Sequence, residues 1–205
     1  MIELEKTETR WTITINRPDK ANSLTKDMLC QIETLASEAD MARVPVLVLT
    51  GTGKVFSAGA DLDEARAGLA TDGVWERLSG RLASLNSLTI CALNGTLAGG
   101  AFGMALACDL RIAVPGAKFF YPVMKLGFLP QPSDPGRLVA LVGPARAKMI
   151  LMGAAKLTTD EALSFGLVDR VVAPEDLAAA VDELAQAAEA GPADVRVAIK
   201  HMCHA

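Results

Sequence analysis

The chain has 205 residues, 51% of them hydrophobic and 21% charged, with a formal net charge of −4; a chain of this length buries roughly 70% of its unfolded surface, so folding as one domain requires neither disulfides nor a structural metal. Aromatic residues make up 4% and no lysine or arginine run stands out, which excludes base stacking on a phosphate-tracking surface, so no nucleic-acid partner is expected. The two histidines, His201 and His204, both lie in the last five residues, which excludes mechanisms that need an imidazole in the middle of a fold.

The N-terminus, MIELEKTETR, is charged and strand-like rather than an apolar leader. Trp11 to Ile15 is rich in β-branched residues and stops at Asn16-Arg17-Pro18-Asp19, a strand running into a loop. The segment after Ser23-Leu24-Thr25 carries Met28, Leu29, Ile32, Leu35 and Ala36 at spacings of three and four, an amphipathic helix capped by Thr25 or Asn22. VPVLVLT, residues 44 to 50, is a continuous apolar run of strand length, suited to a strand covered on both faces. After Gly51-Thr52-Gly53 come a short apolar segment, a small-residue turn at Ala58-Gly59-Ala60, an acidic first helical turn and a helix over 74 to 88. The same order returns in TICALNG, a glycine turn, the helix of LAGGAFGMALACD and the strand DLRIAV. This alternation argues an α/β fold.

Residues 115 to 136 hold prolines 130, 132 and 135 and read as one long irregular stretch. Helices are expected from Gly143-Pro144 to Met152, from Thr159 through Ser164, from Pro174 to Ala190 and over the last residues, with a short VDRVV strand among them. No linker composition interrupts the chain, and no stretch approaches about 18 uninterrupted apolar residues, so no membrane partner is expected. Cys30, Cys91, Cys108 and Cys203 lack metal-ligand spacing and read as reduced thiols of a cytoplasmic protein, with no metal site.

Two turns carry the chemical argument. Ser57-Ala58-Gly59-Ala60 and Ala98-Gly99-Gly100-Ala101 each lie between a strand and a helix, where free N–H groups and the helix dipole favour negative charge. Two such N–H groups aimed at one point would stabilise an oxyanion, and small side chains let a substrate reach the backbone. The same glycines also serve tight turns and close helix packing. Gly51-Thr52-Gly53 lacks the third glycine of a dinucleotide fingerprint, and Ser57 has Val55 where a nucleophile elbow requires glycine and no mid-chain histidine to activate it.

From Trp11 to about Lys200 the sequence resembles the enoyl-CoA hydratase/isomerase, or crotonase, superfamily. The landmarks are Asn16-Arg17-Pro18 with Ala21-Asn22-Ser23-Leu24, then LTGTGKVFSAGADL, ALNGTLAGGAFGMALACDLRIA and GPARAKMILMGAAKLTTDEALSFGLVDRVV, in the family's order. The resemblance implies an α/β spiral of ββα units in a single domain over 1–205, with the core spiral over about 1–172 and a C-terminal helical part over about 173–205 that is short for the family. It implies an acyl-CoA substrate, no cofactor beyond the CoA moiety, and assembly as a homotrimer or hexamer.

By position, the backbone N–H groups of Ala60 and Gly100 become the oxyanion donors, while Lys20, Ala21, Ser57, Ala58 and Leu62 line the CoA path. Asp61, in the same motif, is read mainly as holding the turn or capping the next helix. The two glutamates with which the family's hydratases add water correspond to Gly103 and Val123, which transfer no proton. Gln131 stands near the place where isomerases, dehalogenases and decarboxylases of the family carry a functional side chain, and it hydrogen-bonds without titrating. Asp134 is the first choice for an acid/base role, with a turn residue in Ser-Asp-Pro-Gly as the alternative. Asp63 and Glu64 fit an acidic first helical turn. Decarboxylation, thioester hydrolysis or isomerisation is therefore expected ahead of hydration, and a noncatalytic acyl-CoA-binding or accessory subunit is the competing expectation.

Overall fold

A computed structural model describes residues 1–203; His204 and the end of the expected C-terminal helical part lie outside the described residues. The chain opens on an antiparallel pair, β1 (Ile2–Lys6) and β2 (Arg10–Ile15). Helix α1 (Lys26–Met41) buries Met28, Leu29, Ile32, Ala36 and Ala39 along one stripe. Thr25 is its N-cap, its hydroxyl accepting from Met28 N at 3.2 Å, while Asn22 takes a different part described below.

Three strand-strand-helix units follow. They are β3 (Val46–Gly51) and β4 (Val55–Ser57) with α2 (Leu62–Arg66) and α3 (Val74–Ala83); β5 (Leu88–Leu93) and β6 (Thr96–Ala98) with α4 (Phe102–Ala107); and β7 (Leu110–Ala113) and β8 (Lys118–Phe120) with α5 (Val123–Leu126) and α6 (Asp134–Leu151). The first strand of each unit joins a six-stranded sheet of order β1-β2-β3-β5-β7-β10, and the second joins a four-stranded sheet of order β4-β6-β8-β9. Within the larger sheet every pair but β1 with β2 is parallel. β9 (Lys156–Thr158), α7 (Thr159–Phe165), β10 (Arg170–Val171), α8 (Leu177–Ala190) and α9 (Ala193–Cys203) complete the order. The result is the spiral of ββα units that the resemblance implies.

The continuous apolar run of β3 is explained by two cores. Leu47 and Leu49 face the main core with α1, α3 and α4, whereas Val46 and Val48 pack with Ile90, Ile112 and Ala180, Val181 and Ala185 of α8 on the opposite face. Three boundaries differ from the sequence expectation. α3 ends at Ala83 rather than 88 because the side chains of Asn86 and Ser87 are committed elsewhere, to Asp40 Oδ1 at 3.2 Å and Val44 O at 2.6 Å. The stretch 115 to 136 contains β8 and α5, so it is less irregular than its prolines suggest. The helix expected from Gly143 starts at Asp134, where Pro135 suits a first helical turn, and Gly143 (φ 78°, ψ 164°) is a kink inside it. Among the described residues no helix is long and apolar enough to cross a membrane.

Candidate active site

The sheet topology brings the two small-residue turns together. β4 and β6 are parallel neighbours in the smaller sheet, so the turns leaving their C-terminal ends emerge side by side. Contact is close: a Cβ at Gly59 would lie 3.0 Å from Ala98 O and 3.3 Å from Gly100 N, and Gly59 has φ +92°. Only glycine satisfies both the conformation and the approach.

The strand-like pairing of Leu24 with Ala60 uses the N–H groups of Leu24 and Asp61, which bond Gly59 O and Leu24 O at 2.8 Å each. Ala60 N–H lies between them and has no acceptor among the described residues. Gly100 lies in the 3-10 turn Gly99–Ala101 that opens α4, where an N–H has no acceptor within the turn. The indole of Trp75 lies against this turn, 3.2 Å from the place of a Gly100 Cβ, with its Nε1 donating to Leu69 O at 2.9 Å. The ring packs on one side of the turn, while Gly99 and Gly100 stay half-buried.

Several of the expected residues help to hold this geometry. Asp61 is the N-cap of α2, accepting from Asp63 N, and it pairs with Arg17 at 2.7 Å. The Arg17 guanidinium keeps its carboxyl below the usual aspartate range. Ser57, expected on the CoA path, is fully buried; its hydroxyl donates to Asn22 O at 2.8 Å and accepts from Gly59 N at 3.1 Å, so it shapes the turn. Ala21, at φ 51°, offers its carbonyl to Ala58 N at 3.0 Å. Lys20, Ala58 and Leu62 are exposed. Glu64 accepts from Lys26 N at 2.7 Å and Asp63 pairs with Arg66 at 3.2 Å, both structural uses.

Asp134 is the one acid built into the interior here. It is 0% exposed, and its Oδ2 accepts from the Tyr121 hydroxyl at 2.9 Å, while its Oδ1 is buried with no partner among the described residues. A Cβ at Gly103 would lie 3.0 Å from Oδ1, so the carboxyl occupies the space that a side chain at 103 would fill. Gly103 is one helical turn from Gly100, a rise of about 5 Å. Burial pushes the Asp134 carboxyl up to about 6, against the opposing pull of the Tyr121 hydrogen bond. The same burial and the neighbouring carboxylate hold the Tyr121 hydroxyl protonated far above its ordinary range.

Gln131 contributes its backbone: its carbonyl accepts from Asp134 N at 3.1 Å and its N–H lies 3.4 Å from the Tyr121 oxygen. Its side-chain amide makes no hydrogen bond among the described residues. Val123 is buried at the start of α5. Tyr121, Trp75 and Asn22 escaped the sequence reading of the site. Tyr121 is the only tyrosine in the chain, and a buried tyrosine needs a polar partner, which is the signal it offered. Asn22, fully buried at φ 53°, joins the N-terminal loop to the β3–β4 corner through Thr52 O and Val55 O at 2.9 and 2.7 Å. Among the described residues no group of His, Cys, Asp and Glu is placed to hold a metal ion.

Residues 5–205 match the family described as enoyl-CoA hydratase/isomerase. The chain is 37% identical over 191 residues to a crotonyl-CoA hydratase of Syntrophomonas wolfei, covering 90% of this chain and 74% of that protein. It is 33% identical over 210 residues to a 4-chlorobenzoyl coenzyme A dehalogenase of Arthrobacter, covering 98% and 76%. Its structure superposes on the crystal structure of an enoyl-CoA hydratase from Bacillus anthracis with a TM-score of 0.91 at 30% identity, covering 98% of this chain and 81% of that one.

Proposed function

From a chain that belongs to the enoyl-CoA hydratase/isomerase family, whose members act on acyl-CoA thioesters, we propose an enzyme that moves a proton at the α-carbon of an acyl-CoA and so shifts a double bond. The observation that carries this reading is the buried Asp134 carboxyl in the place of a Gly103 side chain. Ionised Asp134 takes the α-proton of a β,γ-enoyl thioester. The C–H electron pair moves into the thioester, and the resulting dienolate oxygen is held by the Ala60 and Gly100 N–H groups. The protonated carboxyl then returns the proton to the γ-carbon, leaving the α,β-enoyl thioester. Preorganised backbone donors favour the charge that develops, and a carboxyl raised to about 6 both takes and returns a proton.

Hydration divides its work between two groups, and the positions that the resemblance assigns to them are Gly103 and Val123. One carboxyl suits isomerisation better. The CoA moiety is expected to pass the exposed Lys20, Ala58 and Leu62, with the Ala21 backbone and the Asp61 cap fixing the turn beside it. Assembly as a homotrimer or hexamer belongs to the same reading and is checked by light scattering.

The test measures formation of α,β-enoyl thioester from β,γ-hexenoyl-CoA alongside hydration of crotonyl-CoA. Isomerisation is expected to exceed hydration, and Asp134→Asn is expected to lower it by about a hundredfold or more. Binding without turnover of either substrate would favour the accessory-subunit alternative, and hydration faster than isomerisation would overturn the assignment.

A further inference from the structure

The acid of the proposed reaction is held on one side only. Asp134 Oδ2 accepts from the Tyr121 hydroxyl at 2.9 Å, whereas Oδ1, the oxygen nearer Gly103, is buried without a partner among the described residues. No side chain at 103 meets it, and α4 carries no titratable or charged group over Phe102–Ala107. Where Oδ1 stands therefore depends on the backbone that carries Asp134 into α6.

That backbone is gripped from α3. Ser133 is the N-cap of α6, and a serine there ordinarily turns its hydroxyl to the free N–H groups of its own helix. Here the hydroxyl makes no capping bond. It donates to Glu76 Oε1, and the Ser133 N–H donates to Glu76 Oε2 at 3.2 Å, so one carboxylate takes both donors of the residue before Asp134. The Ser133 carbonyl accepts from Arg137 N at 3.1 Å, which passes the grip into the helix. Glu76 is half-buried and pairs with no cation among the described residues, its neighbour Arg77 being turned to Glu33 at 3.8 Å. Glu76 also follows Trp75, whose indole packs on the Gly100 turn. Two adjacent residues of α3 thus reach the donor turn and the helix that carries the acid.

We infer that Glu76 is a positioning residue: by gripping Ser133 from α3, it fixes the Asp134 carboxyl beside Gly103, in register with the donor turn that Trp75 backs. The inference rests on Asp134 as the proton carrier of the proposed isomerisation and names the group that places it. The groups that face Asp134 are Tyr121 from the corner between β8 and α5, Arg137 from its own helix, Glu76 from α3 and Gly103 from α4. Burial is the chief cause of its raised carboxyl; the Tyr121 hydrogen bond and the Arg137 charge pull it down, and the Glu76 charge pushes it up. Glu76 therefore acts on the acid in two separable ways, through hydrogen bonds that place it and through a charge that favours its protonated form. Glutamine keeps the first and loses the second, because its amide still bonds the N–H and the hydroxyl of Ser133. Alanine loses both.

The experiment measures isomerisation of β,γ-hexenoyl-CoA by the whole chain, with folding checked by circular dichroism. In Glu76→Ala, kcat is expected to fall about tenfold or more with little change in KM, because misplacing a reacting group costs rate rather than binding. Glu76→Gln is expected to recover most of that kcat, with the kcat/KM profile displaced to lower pH; a residue that only supported the fold would leave the profile where it stands. Should Glu76→Ala not fold, Ser133→Ala, which removes one of the two bonds, is expected to lower kcat in the same sense. A readout independent of turnover is the aspartate carboxyl carbon resonance that disappears in Asp134→Asn: its titration midpoint, about 6 in the native chain, is expected to fall in Glu76→Gln. Native kcat in the alanine variants, a loss confined to KM, or an unmoved midpoint overturns the inference while leaving Asp134 as the acid. A native chain that does not isomerise the substrate overturns the reading of Asp134 as proton carrier, and the carboxyl midpoint then decides the inference by itself: a fall in Glu76→Gln upholds it and an unmoved midpoint overturns it as well.

Discussion

Asp134 sits where two opposing effects meet. It begins α6, an 18-residue helix whose N-terminus favours a negative charge, and it accepts a hydrogen bond from Tyr121. Burial outweighs both and leaves its carboxyl at about 6 rather than the ordinary 3.8. In the unfolded chain this aspartate loses its proton near pH 4, whereas in the folded chain it keeps it until about pH 6, so the folded state binds more protons over that interval. Stability therefore falls as pH rises from 4 to 6 and is level above, a total of about 3 kcal/mol from the difference between the two values. Urea midpoints across this range should show the decline in the native chain and lose most of it in Asp134→Asn. Activity runs the other way, because proton abstraction needs the ionised form: kcat/KM should rise through about pH 6. Tyr121→Phe removes the hydrogen bond that favours the ionised carboxyl, so its activity profile should move to higher pH. An unmoved profile would show that Tyr121 does not set the ionisation of Asp134.

At the scale of elements, each ββα unit depends on a sharp corner between its two strands. A Cβ on Gly95 would lie 2.1 Å from Lys54 O, and one on Gly51 would lie 2.8 Å from Phe56 O. Backbone fills both places, so no side chain moves aside. Gly95→Ala is expected to lower the melting temperature steeply, with a cost of several kcal/mol or failure to fold, whereas Gly116→Ala, with open space around its Cβ but φ +79°, pays only the local strain. The long elements of these units were legible in the sequence because their patterns are long: six apolar-rich residues in β3, four turns of spaced apolar positions in α1. Their second strands were not, since β4, β6 and β8 are three residues each and present too little alternation to read. The start of α6 was obscured for another reason. Ser-Asp-Pro-Gly serves a turn or a helix N-terminus equally well, and burial of Asp134 against Tyr121 and Gly103 decides between them. The two donor turns were visible as small residues at strand ends; their side-by-side placement comes from the parallel pairing of β4 and β6, which no local pattern encodes.

For the molecule as a whole, the last helix closes one side of a cavity of about 710 Å³ against the spiral. α9 supplies Val195, Arg196 and Ile199 to its wall, yet Val195 and Ile199 remain 48% and 57% exposed, so the helix has little apolar burial to hold it. Its anchor is Lys200, 8% exposed, whose ammonium reaches into the larger sheet to Ser87 O and Asp109 Oδ2. Asp109 itself is held by Thr89 N and Oγ1 at 2.8 and 2.9 Å, so the acid keeps partners when the lysine is lost. Lys200→Met retains the aliphatic stem and removes the charged end, a loss of about 2 kcal/mol from two bonds to a charged group. Because β5 and β7 pack on α8 independently of α9, the loss should fall on the last helix first. Hydrogen exchange should accelerate in α9 well before it does in β3 or β5, in keeping with local rather than global opening.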